Sequence, residues 1–383
     1  MRTESPSSAE EAAEVVGQAE AEGLSVRPAG RGTKLHWGRP APEPDIELCT
    51  HSLGRIVEHN TGDLTAVVEP GVRLADARRS FAEAGQMLVL DPPGGRDDMA
   101  TIGGIVATGD SGPLRHRYGG ARDILLGMTV VLADGSVAKS GGKVIKNVAG
   151  YDLAKLFAGS YGTLGFMVQL VVRLHPSPQR RVSARGHSDD PNAIQRAAVA
   201  LAAAPLELEV LDLSWEADEG ALLAGSAGAA PEPRARRAVD AMKEAGLDAG
   251  LVEDDDAMWT KQGALQRSSD GAVMRVSGRP SEWTKVLHAV SSAGASVVGR
   301  AALGLSWVRL KDRPPNDLVG DIEDLRQKLH PWSCVVLDAP AEVRDKVDVW
   351  GAPDPSALRL MRSIRARFDP KGMWNPGVFV GGI

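Results

Sequence analysis

Only two cysteines occur in this chain of 383 residues, Cys49 and Cys334, far apart and outside any Cys-x-x-Cys pair. That excludes an iron–sulfur cluster held by this chain alone, which needs about four thiolates, and nothing suggests a disulfide-stapled scaffold. The eight histidines, His36, His51, His59, His116, His175, His187, His288 and His330, include no close pair at metal-ligand spacing, so no zinc or iron site is expected. Positive charge is also in short supply. The net charge is −6 and no Lys/Arg run exceeds a pair, which argues against nucleic acid, whose affinity rests on neutralised phosphates. No apolar run approaches the roughly 20 residues of a membrane-spanning helix. The opening stretch, Met1 to Glu14, is acidic and lacks a basic and apolar leader. No signal peptide is therefore expected, and the chain reads as soluble and cytoplasmic, peripheral to a membrane at most through a partner.

What is present is a globular composition, 43% hydrophobic and 25% charged, at a length that favours two domains. Glycine is abundant, at 43 residues, and clusters between Gly30 and Gly165, where backbone must turn sharply or approach something closely. Ser8 to Glu22 reads as an amphipathic helix stopped by Gly23, followed by a strand over Leu24 to Arg27. Leu64 to Glu69 reads as a strand, Leu74 to Ala84 as a helix, and Met128–Leu132 with Ser136–Lys139 as a hairpin around Asp134-Gly135. Phe166 to Leu174 is the last strand before the texture changes after Pro178. Between there and Trp350 lie six of the eight tryptophans, and fourteen Asp/Glu against four Lys/Arg between Pro205 and Asp256. Leu208–Val252 and Ala272–Leu310 look alike, each a strand, a helix and a returning strand, which predicts an α+β plate with helices on one face.

Three glycine-rich segments need a common explanation. Pro28-Ala29-Gly30-Arg31-Gly32-Thr33-Lys34 is neither a GxGxxG fingerprint nor a P-loop, and by itself reads equally well as a surface turn. Asp91-Pro92-Pro93-Gly94 followed by Thr101-Ile102-Gly103-Gly104-Ile105-Val106-Ala107-Thr108-Gly109-Asp110-Ser111-Gly112 is nearly free of bulky polar side chains. Such a stretch suits backbone N–H groups lying against a flat or anionic ligand. Gly159-Ser160-Tyr161-Gly162-Thr163-Leu164-Gly165 leads straight into a strand.

With Gly142-Lys143-Val144-Ile145-Lys146-Asn147-Val148-Ala149-Gly150-Tyr151-Asp152-Leu153, Lys155-Leu156-Phe157 and the closing Phe368-Asp369-Pro370-Lys371-Gly372-Met373-Trp374-Asn375-Pro376-Gly377, the chain resembles flavoproteins of the vanillyl-alcohol oxidase type. Within them it resembles the FAD-binding subunits of bacterial glycolate oxidases. The resemblance runs through the whole chain in order. It implies an α+β fold: a two-lobed FAD-binding domain over 1–178, an α+β cap domain over 179–350, and a C-terminal segment, 351–383, returning to the flavin. It implies cofactor contacts from Pro28, Ala29, Gly30, Arg31, Gly32, Thr33 and Lys34, from Pro92, Thr101, Ile102, Gly103, Gly104, Ala107, Thr108, Ser111 and Gly112, and from Gly162, Thr163, Phe166 and Asn375. The function implied is oxidation of a small 2-hydroxy acid, glycolate or D-lactate, beside a second flavin subunit and an iron–sulfur subunit.

Two departures matter. Relatives with a covalent flavin carry a His inside the first loop, whereas here His36 lies two residues beyond Lys34, so dissociable FAD is expected. Catalytic chains of this kind also bear a His-x-Gly-Asp-Gly-Asn stretch in the C-terminal half, and none appears here. Oxidising a 2-hydroxy acid needs a base, a cation for the carboxylate and a route for hydride to the flavin. Arg115 or Arg122 would clamp the carboxylate or brace the loop. His116 is the histidine inside a flavin loop, either the base or a satisfied loop residue. Lys143 and Lys146 would place charge near the flavin or pair with a neighbouring acid, and Tyr151 would relay a proton or anchor the core. Two rival functions stand beside this one: a flavin electron-transfer or structural subunit that never meets substrate, and a stand-alone FAD dehydrogenase for another alcohol such as an alditol.

Overall fold

The computed structural model describes residues 1–93, 99–143, 152–252 and 255–383. The first helix, Ala9–Glu22, begins where Ser8 Oγ accepts from Glu11 N and ends where Gly23 adopts φ 70°. Both are standard solutions for the unpaired groups of a helix end. Its apolar side, Ala12, Val16 and Ala19, covers a parallel sheet of Arg2–Glu4, Ile46–Cys49 and Val26–Ala29, in that order. The second lobe is a five-stranded antiparallel sheet in the order Ile56–Asn60, Thr65–Val68, Phe166–Arg173, Leu125–Val131, Val137–Gly141. The Asp134-Gly135 turn joins its last two strands, with Gly135 at φ 77°. Helices Leu74–Ala82 and Ile102–Thr108 pack on it through Phe81, Ile102 and Ile105, all fully buried. The C-terminal segment returns as the notable long-range tie: Trp374 bridges to Val26, and the Asp369 carboxylate accepts from Met373 N and Trp374 N.

The rest of the chain builds an eight-stranded antiparallel sheet from Arg181–Ser188 to Ser333–Asp338. Its repeat is longer than, and out of phase with, the one expected from sequence. Each unit is strand, helix, strand, strand, helix, strand. The first uses Arg181–Ser188, Pro191–Ala203, Val210–Glu216, Glu219–Ala227, Pro231–Glu244 and Asp248–Val252; the second uses Ala272–Ser277, Trp283–Ser292, Ser296–Arg300, Leu305–Leu310, Pro315–Leu329 and Ser333–Asp338. Leu208–Val252 is thus the second half of one unit and Ala272–Leu310 the first half of the other, a mismatch hidden because both halves carry a helix between strands. The two units meet edge to edge where Val210–Glu216 pairs with Ser296–Arg300.

Register decides which side chains face the two N-terminal sheets. Trp215 donates to Ser291 Oγ on helix Trp283–Ser292, so it lies on the helix-covered face. Asp212, three residues earlier, points the other way. Directly across the ladder from Asp212 sits Arg300; Trp307 lies opposite Val298 and Arg275 opposite Trp307. Asp212, Arg300, Trp307 and Arg275 therefore share the face turned toward the glycine-rich loops. All six tryptophans of this region are enclosed to some degree: Trp215, Trp283, Trp307 and Trp350 are buried, while Trp259 and Trp332 are half-buried. They are core rather than a display of exposed rings.

Candidate functional site

Between the parallel sheet and the Ile102–Thr108 helix lies a cleft of about 340 Å³, within the range of small-molecule sites. The strand Val26–Ala29 runs into it and turns at Gly30, which lies so close to Thr101 that an added Cβ would meet its Oγ1 at 2.5 Å. Thr101 in turn caps its helix, accepting from Gly104 N at 3.2 Å. Gly162, at φ 71°, closes the far wall over Pro28. Asn375 completes it, donating from Nδ2 to Tyr161 O at 2.7 Å. Cations outnumber acids around the cleft: Arg27, Arg31, Lys34, Arg39 and Arg344 line it, against Asp345. Two of them keep donor capacity. Lys34 Nζ forms a buried ion pair with Asp110 Oδ2 at 3.2 Å but makes no hydrogen bond among the described residues, and Arg344 donates from Nη2 to Gly38 O at 2.6 Å while its Nε is buried without a partner there. A second, more open hollow of about 930 Å³ is lined by Arg117, Tyr118, His175, Glu207 and Glu209 among others, and none of the glycine-rich segments reaches it.

A model of an FAD binding domain matches residues 3–141. This chain carries an FAD-binding domain, within an α+β fold of the vanillyl-alcohol oxidase type. The flavoprotein is 36% identical over 156 residues to glycolate oxidase subunit GlcE of Escherichia coli, covering 41% of this chain and 44% of that one. It is 35% identical over 192 residues to glycolate oxidase subunit GlcD of Bacillus subtilis, covering 49% of this chain and 40% of that one. The matched stretches thus span less than half of either relative. In fold it is similar to p-cresol methylhydroxylase, at a TM-score of 0.74 with 16% identity, covering 98% of this chain and 88% of that one.

The cleft of the flavoprotein fits its cofactor. An excess of cations, with the Lys34 Nζ and Arg344 Nε donors left over among the described residues, faces a space walled by backbone and small side chains, which suits a diphosphate between two flat ring systems. Pro28, Ala29, Gly30, Arg31, Gly32, Thr33, Lys34, Thr101, Gly103, Gly104, Ala107, Thr108, Gly162, Phe166 and Asn375 line it. Five further residues singled out from sequence lie elsewhere. Ile102 is core, Pro92 is buried, Thr163 is buried and bonds Ser160 O at 2.7 Å, and Ser111 and Gly112 form the loop beyond the helix. Gly103 lines the cleft yet has a packing constraint of its own, because a Cβ there would meet Pro70 Cβ at 2.5 Å and Pro70 O at 2.9 Å.

The Asp110–Leu114 loop joins the cleft to the cap. The Asp91 carboxylate accepts from Gly112 N at 3.1 Å and Leu114 N at 2.8 Å, and burial pushes its pKa up to about 7 against the pull of the Leu114 N–H, Arg300 and Arg78. Arg115 Nη1 reaches Ser111 Oγ at 3.3 Å. Its own pKa is lowered by burial and by the charge of Arg275. His116 is held low by burial and then Arg117, and its Nδ1 is buried with no partner among the described residues. Arg122 is exposed, and Lys143 pairs with Glu58. Lys146 and Tyr151 lie outside the described residues.

Sequence reading missed Arg275, Tyr161 and Arg300. Arg275 has no carboxylate partner among the described residues, and its charge acts on both Arg115 and Tyr161. Tyr161 sits at φ 55° with a buried hydroxyl lacking any partner among the described residues, its pKa pushed up to about 12 by burial. A signal existed: Arg275 and Arg300 each interrupt an apolar strand, in Val273-Met274-Arg275-Val276 and Val297-Val298-Gly299-Arg300-Ala301. A lone charge inside such a strand needs a reason, because burying it unpaired is costly.

Proposed function

We propose that this chain oxidises a small 2-hydroxy acid, such as glycolate or D-lactate, with dissociable FAD and as one subunit of a larger oxidoreductase. The observation that carries this is the buried Tyr161 hydroxyl in the cleft wall, without a partner among the described residues, with the charge of Arg275, which lacks a carboxylate partner among them, acting on it. A carboxylate with an adjacent hydroxyl answers both. Arg275, helped by Arg115, takes the carboxylate through charge-assisted hydrogen bonds. Tyr161, its pKa raised to about 12, stays protonated and donates to the substrate oxygen. His116 is neutral and its free Nδ1 can accept a proton. When bound, FAD supplies the two-electron acceptor. The loop Pro28–Lys34 and the segment Thr101–Thr108, with Gly162 and Asn375, would hold it, Lys34 Nζ and Arg344 Nε facing its diphosphate. The histidine nearest the first loop in sequence, His36, is engaged with Asp338 at 2.9 Å, and His51, beside the loop in space, bonds Gly30 O at 3.0 Å, which supports a non-covalent flavin.

The glycolate oxidase subunit names of two relatives support a place in a complex, with a second flavin subunit and an iron–sulfur subunit supplying what two lone cysteines cannot. The missing His-x-Gly-Asp-Gly-Asn stretch favours a second reading, a subunit that passes electrons without meeting substrate. Anaerobic addition of glycolate or D-lactate to the FAD-loaded chain separates them. Bleaching of its visible absorbance by 2-hydroxy acids, but not by polyols, is the expected result, with sustained turnover appearing once the partner subunits are co-expressed. A flavin that stays yellow in the lone chain, yet bleaches in the complex, favours the electron-transfer reading.

A further inference from the structure

The peptide of Gly112 is gripped from both sides. Its N–H donates to Asp91 in the flavin lobe, while its carbonyl accepts from Arg300 Nε at 2.9 Å, across 188 residues of sequence. Arg300 belongs to the cap strand Ser296–Arg300 and has no exposure to solvent. Its other nitrogens are fixed as well: Nη1 meets Asp212 Oδ2 at 2.5 Å, Nη2 meets Gln266 Oε1 at 2.6 Å and leans to Ser111 O at 3.4 Å. The guanidinium also stacks over Trp307, 4.6 Å from the ring centre. A planar fork with this many fixed acceptors has a single orientation. Asp212 is equally enclosed and has Gln262 as a further donor.

Charge balance alone does not account for this arrangement. Asp212 would neutralise Arg300 within the cap sheet, yet the guanidinium spends Nε on a backbone carbonyl of the flavin lobe. We propose that Arg300 is a positioning residue that transmits the register of the cap sheet to the flavin loop through the Ser111 and Gly112 carbonyls. Asp91 is the opposing anchor. With the Gly112 peptide held at both ends, the loop leaving the Ile102–Thr108 helix cannot rotate its peptide planes, and that cleft-lining helix, with the flavin it would hold, is fixed relative to the cap face bearing Arg275.

The test uses the FAD-loaded chain. Arg300→Lys retains a charge opposite Asp212 but loses the fork that spans both lobes. FAD should then dissociate at least about tenfold faster, the loss expected for a charge-assisted hydrogen bond, and the visible circular dichroism of the flavin should change. Asp212→Asn keeps the bond from Arg300 to Gly112, so it should lower the thermal midpoint while FAD release stays within about threefold of the unaltered chain. Arg300→Met combined with Asp212→Leu removes the buried pair as a unit, and there stability should recover while FAD release stays fast. Equal acceleration of FAD release in Arg300→Lys and Asp212→Asn would overturn the proposal, as would normal release in the double variant, because Arg300 would then only balance Asp212. Should the double variant fail to fold, the two single variants decide. Since all this rests on the flavin lying against Thr101–Thr108, Gly104→Ala is measured alongside. Flavin loss there with normal release in Arg300→Lys defeats the positioning role alone; normal flavin behaviour in both defeats the placement of the flavin.

Discussion

Gly103 and Gly104 are adjacent, both line the cleft, and the structure predicts opposite consequences for the same substitution. At Gly103 an alanine Cβ would meet Pro70 Cβ at 2.5 Å and Pro70 O at 2.9 Å. The second contact is backbone, tied down because Pro70 O accepts from Gly103 N at 2.8 Å. Overpacking of this kind costs on the order of 1–3 kcal/mol. At Gly104 the nearest atom is Thr101 Oγ1 at 3.1 Å, a side chain able to give slightly, and φ is not positive. Replacing glycine by alanine inside a helix gains up to about 1 kcal/mol, so Gly104→Ala should unfold at or above the temperature of the unaltered protein. Its methyl group enters the cleft instead, where it displaces a flat ligand. Thermal unfolding of the FAD-free forms, read by far-ultraviolet circular dichroism, and the flavin-to-protein absorbance ratio of the purified forms separate the two effects. Gly103→Ala should lose stability first and flavin as a consequence; Gly104→Ala should keep stability and lose flavin. Full flavin content in Gly104→Ala would mean that the pyrophosphate loop has been assigned to the wrong segment, and an unchanged midpoint in Gly103→Ala would refute the packing argument.

Acid precipitation should leave the yellow colour in the supernatant, since His36 is committed to Asp338 and Cys49 is buried; a yellow pellet would show a covalent link. Arg275→Met should weaken bleaching by glycolate or D-lactate by about tenfold to a hundredfold in half-saturating concentration, the value of a charged hydrogen bond, while FAD content stays normal; equal potency in that variant would remove Arg275 from the substrate site. Asp91 titrates high in the folded state, at about 7, against about 4 when unfolded, so its contribution is present below pH 4 and is lost as pH rises toward 7, at most about 4 kcal/mol in all. Urea unfolding at several pH values should show the stability of the unaltered chain falling relative to Asp91→Asn across that window, and a difference that stays flat would place the Asp91 carboxyl outside that titration.

The amino-acid sequence by itself carried the lobes that hold the flavin, because their information is local. Positive-φ glycines, the first helix stopped by Gly23 and an Asp-Gly hairpin are each written in a few neighbouring residues, and the closing Asn375-Pro376-Gly377 carries its own signature. The cap repeat was legible only as a texture. Its strand order depends on which edges pair, and Leu208–Val252 resembles Ala272–Leu310 although the two are different halves of their units. Site chemistry was the least legible, for the same reason. Arg275, Arg300 and Asp212 look like isolated charges in apolar strands until the ladder sets Asp212 opposite Arg300 and turns both toward Gly112. Tyr161 reads as one residue of a turn until packing encloses its hydroxyl near Arg275. Backbone conformation is chosen by near neighbours and can be read along the chain, whereas a buried charge is given its partner by register and layer packing, which only the tertiary structure decides.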